Sequence, residues 1–497
     1  MSKRFRVLAV FLLTFLVLST ALAGCSKSKE SSGSSSNSKD GKPYNVVMAY
    51  QSFGNVEDLK MVQDKINKIA KKKINATVTL VPINYGAWNQ QSNLMLTGNE
   101  KLDLLFTGPD FATKAVKGQI MPLDDLLKSH GKGILKAVPS EILEAAKVDG
   151  KVYGVPSMKE WSQQYGFLMT KDFVDKYHIN LSNVKTLEDL EEVFKVIKKN
   201  EPTVTPIVGG IGGTLPILAY TYSYFDKLGG TVGALDMTKG DFKVINEYEH
   251  PAYEAGAKLM RKWYLAGYIS KDAATSTDLP SDAMKAGTGF GFFNGLAPGT
   301  EVGASNGIGG KPVVAVRFKD IVQFTDSPQI LMTLAKNSQN PEKAIEFLNL
   351  MYTDKDIMNL LTLGIEGKHY EVNEKGFVTL PKGKTETGYV GNNWVMGNNF
   401  LTKVWDGLPA NHWDQVKAFN ESGKRSPAFG FMFNPDPVKT EIAAVSNVVQ
   451  QYEKGIGTGT LDPEKMLPEF RKKLKAAGAD KIIKEKQKQL DEWRKNK

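Results

Sequence analysis

The sequence predicts an α/β fold divided into at least two lobes. The chain has 497 residues, several times the length that a single hydrophobic core needs. After residue 43, strand-like and helix-like segments alternate, and this order implies parallel strands joined by crossover helices. Apolar residues make up 41% and charged residues 24%, which is typical of globular proteins and argues against wholesale disorder or a membrane protein with many spans.

Five segments predict the first lobe. Residues 56–70 place apolar side chains at helical spacing, and β-rich runs at residues 44–50 and 76–83 flank them. The two flanking strands are therefore expected to pair in parallel. A helix over residues 86–97 and a short buried strand over residues 102–106 complete a doubly wound unit.

The alternation continues along the chain. Asp149-Gly150 between two short apolar runs predicts a hairpin. Thr186 and Asp189 form a pattern close to a capping box at the start of an amphipathic helix over residues 186–199. Further elements are expected as a strand at 204–208, a helix at 251–266, a strand at 289–293, and helices at 341–351, 355–363, 437–451 and 462–477.

The net charge of +10 is concentrated at the two ends of the chain. The first 42 residues carry +5 and residues 471–497 carry +7, so residues 43–470 are nearly neutral at −2. A protein that neutralises phosphates needs a basic face on its folded domain. We therefore expect no nucleic-acid partner, and we interpret the lysine-rich C-terminal helix as a solvated face.

The N-terminus has the pattern of an export signal. Basic residues precede an uncharged stretch over residues 7–23, which is short for a membrane span. The stretch leads into Leu-Ala-Gly-Cys25, which resembles the lipobox of bacterial lipoproteins, where the cysteine is acylated and the signal is cleaved in front of it. Residues 1–24 are thus expected to be a signal peptide and Cys25 the site of lipidation.

A serine-rich segment follows the cysteine. Residues 25–42 offer nothing for Cys25 to pack against, which argues against a buried cysteine at the end of an apolar helix. As a flexible tether, the segment would have a root-mean-square reach of roughly 20–25 Å. No later segment is long and apolar enough to span a bilayer. We therefore expect the protein at the cell membrane, anchored by lipid on the extracytoplasmic face.

Sequence motifs give little support to an enzyme. The chain has no His-Glu-x-x-His pair and no Gly-x-x-x-x-Gly-Lys-Ser/Thr loop, and we expect no nucleophile elbow of the Gly-x-Ser-x-Gly type. The five histidines are scattered, and a single cysteine supplies neither a disulfide nor a cysteine pair for zinc. No catalysis, cofactor or metal is expected. A surface glycan hydrolase stays open, because the separation of two carboxylates is a three-dimensional property.

The order of the motifs resembles the family 1 extracellular solute-binding proteins of ABC importers. The resemblance rests on the lipobox, the tether, the strand-helix-strand start, the strand ending in Leu-Leu-Phe-Thr107 and the stretch Gly-Gln-Ile-Met-Pro-Leu-Asp-Asp-Leu-Leu127. Farther on, residues 363–370 and 426–433 resemble the long C-terminal extension of the LplA/LipO-type subgroup. Analogy with that subgroup suggests plant-polysaccharide fragments as ligands, including uronate-bearing ones.

The resemblance implies a periplasmic-binding-protein-like fold of type II. Two doubly wound lobes would be joined by hinge strands, with the ligand held in the cleft between them. Residues 43–160 and about 288–340 are assigned to lobe I. Residues about 161–287 and 341–497, including a helical C-terminal extension, are assigned to lobe II. The resemblance also implies a membrane permease with an ATPase on the inside as partners, and we expect a monomer.

The cleft is expected to bind a sugar, whose hydroxyls and C–H faces call for planar polar groups and aromatic platforms. Asp110 lies where related binders place a carboxylate that accepts sugar hydroxyls, and its alternative role is to form a turn or cap a helix. Trp88 is expected either to stack on a sugar or to lie in the core. The residues expected on the cleft floor, where the chain crosses between the lobes, are Trp161, Gln163, Gln164 and Tyr165.

Further candidates lie in the second half of the chain. Asn294 ends a strand that resembles the second crossing, but Leu296-Ala-Pro298 stand where many family members have an aromatic residue. Stacking is therefore expected from elsewhere. The candidates are Trp394, with Asn398 and Asn399 nearby, and Phe429 or Phe431 in a run that also holds Phe433 and in which at least one phenylalanine belongs to the core.

Two remaining clusters carry open alternatives. Tyr222 is a possible ligand contact within the evenly spaced Tyr220, Tyr222 and Tyr224, although core packing gives the same spacing. Glu366 and His369 form a polar cluster that we interpret as a structural network in preference to a ligand site.

Together the patterns predict a lipid-anchored receptor that closes on an oligosaccharide and delivers it to an ABC permease without breaking a bond. The alternatives are a receptor for a non-sugar solute, such as a peptide or metabolite, and the surface hydrolase. The identity of the sugar does not follow from the sequence.

Overall fold

A computed structural model describes residues 41–52, 54–98, 100–108, 110–210 and 213–495. Residues 1–40 contain the expected signal peptide, Cys25 and most of the expected tether, and they lie outside the described residues. Among the helices that are described, none combines the length and the apolar character needed to cross a bilayer.

The first sheet has five strands. In spatial order they are Ala76–Asn84, Tyr44–Ser52, Leu104–Thr107, Leu331–Leu334 and Gly154–Pro156. The first three run parallel, as the strand-helix-strand pattern predicts, and helix Leu59–Ile74 is their crossover. Leu331–Leu334 runs antiparallel to both of its neighbours. Every residue of Leu104–Thr107 is buried, which explains its uninterrupted apolar sequence.

The second sheet has four strands. In spatial order they are Val313–Arg317, Gln164–Thr170, Gly289–Leu296 and Thr205–Ile207. Its central antiparallel pair places Tyr165 opposite Gly295 at one edge. Only the pair of Gly289–Leu296 with Thr205–Ile207 is parallel. The start of one strand and the end of its neighbour therefore bring side chains to the same edge of the sheet.

Each sheet lies in its own hydrophobic core. The first core takes buried residues from positions 46–161 and 331–396. The second takes them from positions 167–322 and 428–490. The molecule thus has two α/β lobes, and each lobe is built from discontinuous parts of the chain.

The predicted lobe boundaries need correction in two places. Strands Gly289–Leu296 and Val313–Arg317 belong to the second sheet, so most of residues 288–340 lie in the second lobe. Conversely, helices Pro341–Thr353 and Lys355–Leu363 bury their apolar faces in the first core. The amphipathic pattern of a segment shows that it is buried, but the core that receives it depends on distant partners.

Local signals were more reliable than lobe assignment. The expected hairpin forms between Lys147–Val148 and Lys151–Val152, with Asp149 and Gly150 at positive φ. The expected capping box also forms, since the Asp189 carboxylate accepts from the backbone N–H of Thr186 at 2.8 Å. Other short strand pairs are Phe225–Asp226 and Val244–Ile245 with Ala234–Asp236, Val322–Gln323 with Lys424–Arg425, and Glu371–Val372 with Val378–Thr379.

The remaining helices follow the expected alternation. In chain order they are Trp88–Thr97, Phe111–Val116, Asp124–His130, Lys132–Ala137, Ser140–Glu144, Lys171–Lys176, Leu190–Asn200, Pro216–Thr221, Pro251–Leu265, Pro280–Ala286, Thr300–Gly307, His412–Ser422, Lys439–Gly457, Pro463–Ala476 and Ala479–Lys495. The last three pack on the second core through Val445, Phe470 and Leu490, one from each helix. Residues 439–495 are therefore an integral part of the second lobe.

Candidate ligand-binding cleft

Within the described residues the chain passes between the lobes three times. Residues 157–163 make the first crossing, as expected, and residues 318–330 and 402–427 make the other two. The prediction that Asn294 marks the second crossing is wrong. Strand Gly289–Leu296 continues into helix Thr300–Gly307 and returns to the same sheet.

Asn420 connects the first and third crossings, and no sequence pattern predicts this role. Its side-chain oxygen accepts from the backbone N–H groups of Trp161 and Ser162 at 2.7 and 3.2 Å, and its amide donates to the Lys159 carbonyl at 2.8 Å. Gln163 and Val322 add a pair of backbone hydrogen bonds between the first two crossings. Asn420 is buried, so these bonds fix the crossings away from water.

A cavity of about 540 Å³ opens beside the first two crossings. It combines the crossings with the edge of the second sheet. Its lining residues are Lys159, Glu160, Trp161, Ser162, Gln163, Tyr165, Thr214, Asn294, Gly295, Leu296, Ala297, Thr300, Asp326, Ser327, Gln329 and Ile330. We call this cavity the cleft. It brings together four predicted site residues: Trp161, Gln163, Tyr165 and Asn294.

The two aromatic residues of the cleft are held firmly. Trp161 is 7% exposed, and its indole N–H donates to the Ser157 carbonyl at 3.0 Å. The Tyr165 ring packs on Tyr222 with 4.8 Å between the ring centroids. Burial, and the nearby carboxylate of Asp326, raise the pKa of Tyr165, so its hydroxyl stays protonated at neutral pH. Tyr165 thus offers a fixed ring and a hydroxyl to the cavity.

Two predicted neighbours of Tyr165 do not line the cleft. Tyr222 lies behind Tyr165, and its hydroxyl donates to the Asp320 carbonyl at 2.7 Å. Gln164 alternates with Gln163 and Tyr165 along the strand, and its amide donates to the Phe318 carbonyl at 2.7 Å. Tyr220 and Tyr224 are also absent from the lining, because helix Pro216–Thr221 replaces the strand that their even spacing suggested.

The part of the lining formed by residues 294–300 of the second lobe lacks an aromatic side chain. Asn294 and Gly295 end the strand, and the Thr300 hydroxyl then bonds to both the N–H and the carbonyl of Ala297. Leu296 is buried in a small apolar cluster. Residues 296–298 therefore supply no aromatic platform, as their sequence predicts. Asn294 is the planar hydrogen-bonding group of this part of the lining.

Gln329 is a cleft residue that the sequence analysis missed. It is 2% exposed, and its amide N–H groups lie 3.3 Å from the Thr325 carbonyl and 3.0 Å from the Met432 sulfur. Its side-chain carbonyl oxygen has no hydrogen-bond partner among the described residues. Buried acceptors are almost always paired. An unpaired one that lines a cavity is suited to a hydroxyl group supplied by a ligand.

Asp326 is the second cleft residue that was missed. Burial, and then the neighbouring carboxylate of Asp226, raise the pKa of Asp326 to about 6. Asp226 itself accepts from the N–H of Thr325 at 3.1 Å and from the Leu228 N–H at 3.2 Å. A turn residue next to two strands carries no sequence signal for this arrangement, which depends on the contact between residues 225–228 and the second crossing.

Asp110 lies at the carboxyl edge of the first sheet but does not line the cleft. It precedes helix Phe111–Val116, yet its side chain makes no capping hydrogen bond. Instead its carboxylate pairs with the ammonium of buried Lys114, while the Asp110 side chain is 53% exposed. Asp110 therefore lies in the turn before the helix without capping it through its side chain, and its role in ligand binding stays a prediction.

The two tryptophans of the first lobe have different surroundings. Trp88 is 4% exposed and packs edge-on against Phe106, so it lies in the core, which was one of its two predicted places. Trp394 also packs edge-on against Phe106 and is only partly buried. Neither lines the cleft. Asn398 and Asn399 are buried beside Met158 and the first crossing.

Phe429 and Phe431 line a different cavity of about 1070 Å³, which we call the groove. Residues 426–433 form turns and not the strand that the alternating phenylalanines suggested. Phe431 is buried against Trp493, and Phe433 is also buried. The prediction that at least one of them belongs to the core is confirmed, while Phe429 and Phe431 do not line the cleft and their role in ligand binding stays a prediction.

His369 is part of a structural network, as predicted. Its Nδ1 accepts from the Ile365 N–H at 2.9 Å, so the ring proton lies on Nε2 and faces the Asp58 carboxylate at 3.2 Å. This hydrogen bond is the main reason that the pKa of Asp58 is lowered. Glu366 lies beside it and pairs with Lys403 at 3.2 Å.

Neither a nucleophile elbow nor a metal-binding cluster is found among the described residues. The stretch Gly303-Ala-Ser305-Asn-Gly307 matches the Gly-x-Ser-x-Gly pattern, which the sequence analysis overlooked. It lies within helix Thr300–Gly307, and the Ser305 hydroxyl donates to the Lys311 carbonyl at 2.8 Å, so it is not a strand-to-helix elbow. Among the described residues, no three His, Cys, Asp or Glu side chains converge to hold a metal ion.

Two lobes, three crossings and a cleft between them define a solute-binding architecture, and sequence comparison agrees. Residues 57–358 match the family described as bacterial extracellular solute-binding protein, and the chain belongs to that family. Residues 427–495 match a domain of unknown function. The fold is the type II periplasmic-binding-protein-like fold, as predicted.

The chain is similar to a carbohydrate ABC transporter substrate-binding protein of Streptococcus pneumoniae, with 31% identity over 97% of both chains. It also resembles the crystal structure of the N-glycan transport solute-binding protein NgtS of that organism, with 30% identity, a TM-score of 0.81, and coverage of 92% of this chain and all of the other. A complex of NgtS with Man5GlcNAc superimposes with a TM-score of 0.74. Lipoprotein LipO of Bacillus subtilis is 25% identical over 73% of both chains.

Proposed function

We propose that this protein is a lipid-anchored receptor that captures an oligosaccharide in the cleft and delivers it to an ABC permease. The observation that carries the proposal is the composition of the cleft, whose lining includes the amide side chains Gln163, Asn294 and Gln329 together with the aromatic side chain of Tyr165. Planar polar groups next to an aromatic ring match the hydroxyls and C–H faces of a sugar. The unpaired acceptor of Gln329 supplies a place for one hydroxyl.

The volume of the cleft and the relatives of the protein support the same ligand class. A volume of about 540 Å³ is within the usual ~300–1,000 Å³ of small-molecule sites. The pneumococcal relatives are named for carbohydrate and N-glycan transport, and NgtS has been crystallised with Man1GlcNAc and Man5GlcNAc. An oligosaccharide of the N-glycan type is therefore the first ligand to test.

Capture follows from a ligand that contacts more than one element. Trp161 and Gln163 lie on a crossing, and Asn294 lies on the second lobe. Contacts from both sides favour the closed arrangement of the lobes by their differential affinity for it. Binding alone is enough for such a receptor, and no bond in the ligand is broken.

The anchor, the membrane partner and the oligomeric state complete the proposal. The lipobox and the tether support acylation of Cys25, which would hold the protein on the extracytoplasmic face of the membrane. We further propose that the protein is a monomer and belongs to the LipO-type subgroup. The identity with LipO supports the subgroup. A Cys25→Ala variant should be released from the membrane fraction of cells. Continued acylation and membrane retention of that variant would contradict the anchor.

Calorimetric titration of the purified protein with Man5GlcNAc tests the receptor. Gln329→Leu should weaken binding about tenfold, because a ligand hydroxyl loses its acceptor. Gln415→Leu, an exposed change outside the cleft, serves as the matched control and should bind like the wild type. New reducing ends in the incubated sample would favour a hydrolase, and absence of binding to every sugar of a panel would favour a non-sugar solute.

A further inference from the structure

The charges of the cleft are few and unbalanced. Only Lys159, Glu160 and Asp326 are charged among the sixteen lining residues. The Lys159 ammonium lies 2.6 Å from the Glu160 carboxylate and 3.1 Å from the Glu160 carbonyl. The only lysine of the lining is therefore already paired with an acid, and Asp326 is left as the net charge.

Asp326 forms no ion pair within the described part of the chain, although charged groups face it from several elements. Asp226 and Lys227 face it from the small sheet, Lys486 from the C-terminal helix and Tyr165 from the second sheet. Lys227 lies 3.6 Å from Glu453. The Lys486 ammonium donates to the carbonyls of Lys227 and Gly233 at 2.7 and 2.8 Å. Each cation is thus engaged by other groups.

We propose that Asp326 makes the cleft select uncharged glycans and reject uronate-bearing ones. A uronate carboxylate entering the cleft would find no unpaired cation among the described lining residues and would meet the carboxylate of Asp326. An uncharged sugar instead offers hydroxyls that the same carboxylate accepts. This inference rests on the proposed function, and it contradicts the uronate-bearing ligands suggested by subgroup analogy.

Protonation of Asp326 makes the discrimination against uronates depend on pH, which can be measured separately. Its raised pKa of about 6 means that the carboxyl is ionised at pH 7.5 and mostly neutral at pH 5. Sugar carboxylates, with pKa values near those of ordinary carboxyl groups, remain ionised at pH 5. Discrimination against uronates should therefore be strong at pH 7.5 and weaker at pH 5.

The test uses a calorimetric panel in which each uronate-bearing oligosaccharide is paired with its methyl ester, together with Man5GlcNAc. For the wild type at pH 7.5, each ester should bind at least about tenfold more tightly than its acid. The gap should narrow at pH 5. In Asp326→Asn it should fall to about twofold at both pH values. Asp320→Asn, an exposed change on the same crossing, is the matched control and should keep the gap.

The remaining outcomes overturn the inference or its basis. Equal binding of acids and esters by the wild type, or an undiminished gap in Asp326→Asn, would contradict it. If Man5GlcNAc binds but neither acids nor esters do, the shape of the sugar and not charge sets the selectivity, and the inference is wrong. If no glycan binds at all, the proposed function fails and the charge preference fails with it.

Discussion

The groove and the cleft differ in size, and the smaller of these two cavities has the better chemistry for a ligand. The groove is about twice as large as the cleft, at 1070 against 540 Å³. Its walls are helices Phe111–Val116 and Ser140–Glu144 of the first lobe and the C-terminal helix of the second. Several of its polar side chains bind one another, including Glu144 with Lys147 and Glu141 with Arg425.

The cleft differs because it retains unused hydrogen-bonding capacity. The Gln329 side-chain oxygen is buried and has no partner in the described part of the chain, and the lining combines an aromatic ring with amides from separate elements. Cavity volume alone therefore does not locate a binding site. A buried polar atom that lacks a partner is the more informative feature, because leaving it unpaired has a cost that a ligand removes.

The largest expected effect concerns the crossings that form the cleft floor. Asn420→Ala should lower the free energy of unfolding by about 3 kcal/mol, since it leaves the buried N–H groups of Trp161 and Ser162 without an acceptor. Chemical denaturation measures the change. Asn411→Ala, an exposed change at the start of the same helix, should alter stability by less than about 0.5 kcal/mol. Equal effects of the two changes would show that the network does not hold the crossings.

The next effect separates the cleft from the groove directly. Tyr165→Leu should weaken oligosaccharide binding about thirtyfold, which corresponds to about 2 kcal/mol, because the aromatic platform is lost. Tyr165→Phe keeps the ring and should retain most of the affinity. Phe429→Leu, the counterpart in the groove, should change affinity by less than about twofold. A larger loss from Phe429→Leu than from Tyr165→Leu would assign the ligand to the groove.

The raised pKa of Asp326 predicts that the difference in stability between the wild type and Asp326→Asn depends on pH. A carboxyl whose pKa is raised on folding binds its proton more tightly in the folded state, so its contribution is most favourable below about pH 4 and is lost as the pH rises to about 6. Asp326→Asn should therefore match the wild type near pH 4 and exceed its stability at pH 7 by an amount on the order of 2 kcal/mol. Asp149→Asn in the groove should show no such trend. Parallel wild-type and Asp326→Asn curves from pH 4 to 7 would contradict the raised pKa.

The smallest effect belongs to the ion pair across the groove. Glu141 and Arg425 lie 3.5 Å apart and both side chains are largely exposed. Exposed pairs contribute little, so Glu141→Gln should change the unfolding free energy by less than about 0.5 kcal/mol and ligand affinity by less than twofold. A change of tenfold in affinity would mean that the groove controls closure of the lobes.

Local elements were predictable because their signals are local. The parallel start of the first sheet, the Asp149-Gly150 hairpin and the capping box of Thr186 with Asp189 all formed as expected. Periodicity failed where two structures give the same spacing. Tyr220 and Tyr222 at even spacing belong to a helix and the turn after it, and the phenylalanines of residues 426–433 belong to turns.

Part of the lining of the cleft was predictable at the first crossing, where the order of segments along the chain determines which residues face the space between the lobes. A chain that leaves one lobe for another must line the space between them, and Trp161, Gln163 and Tyr165 do so. Gln329, Asp326 and Asn420 have no comparable signal, because they acquire their roles from contacts with residues far away in sequence. Phe429 failed for the same reason, since its neighbours in the groove come from both lobes.

By itself, the sequence determined the α/β class, the two-lobed architecture and the first crossing, while the export and lipidation pattern at the N-terminus stays a prediction. These depend on periodicity, turn chemistry and short motifs, which act over a few residues. Only the tertiary structure decided which core receives Pro341–Thr353, which strand of residues 288–340 joins which sheet, and which polar atom in the cleft is left unpaired. Burial, register and hydrogen-bond satisfaction are set between distant segments, so no local pattern contains them.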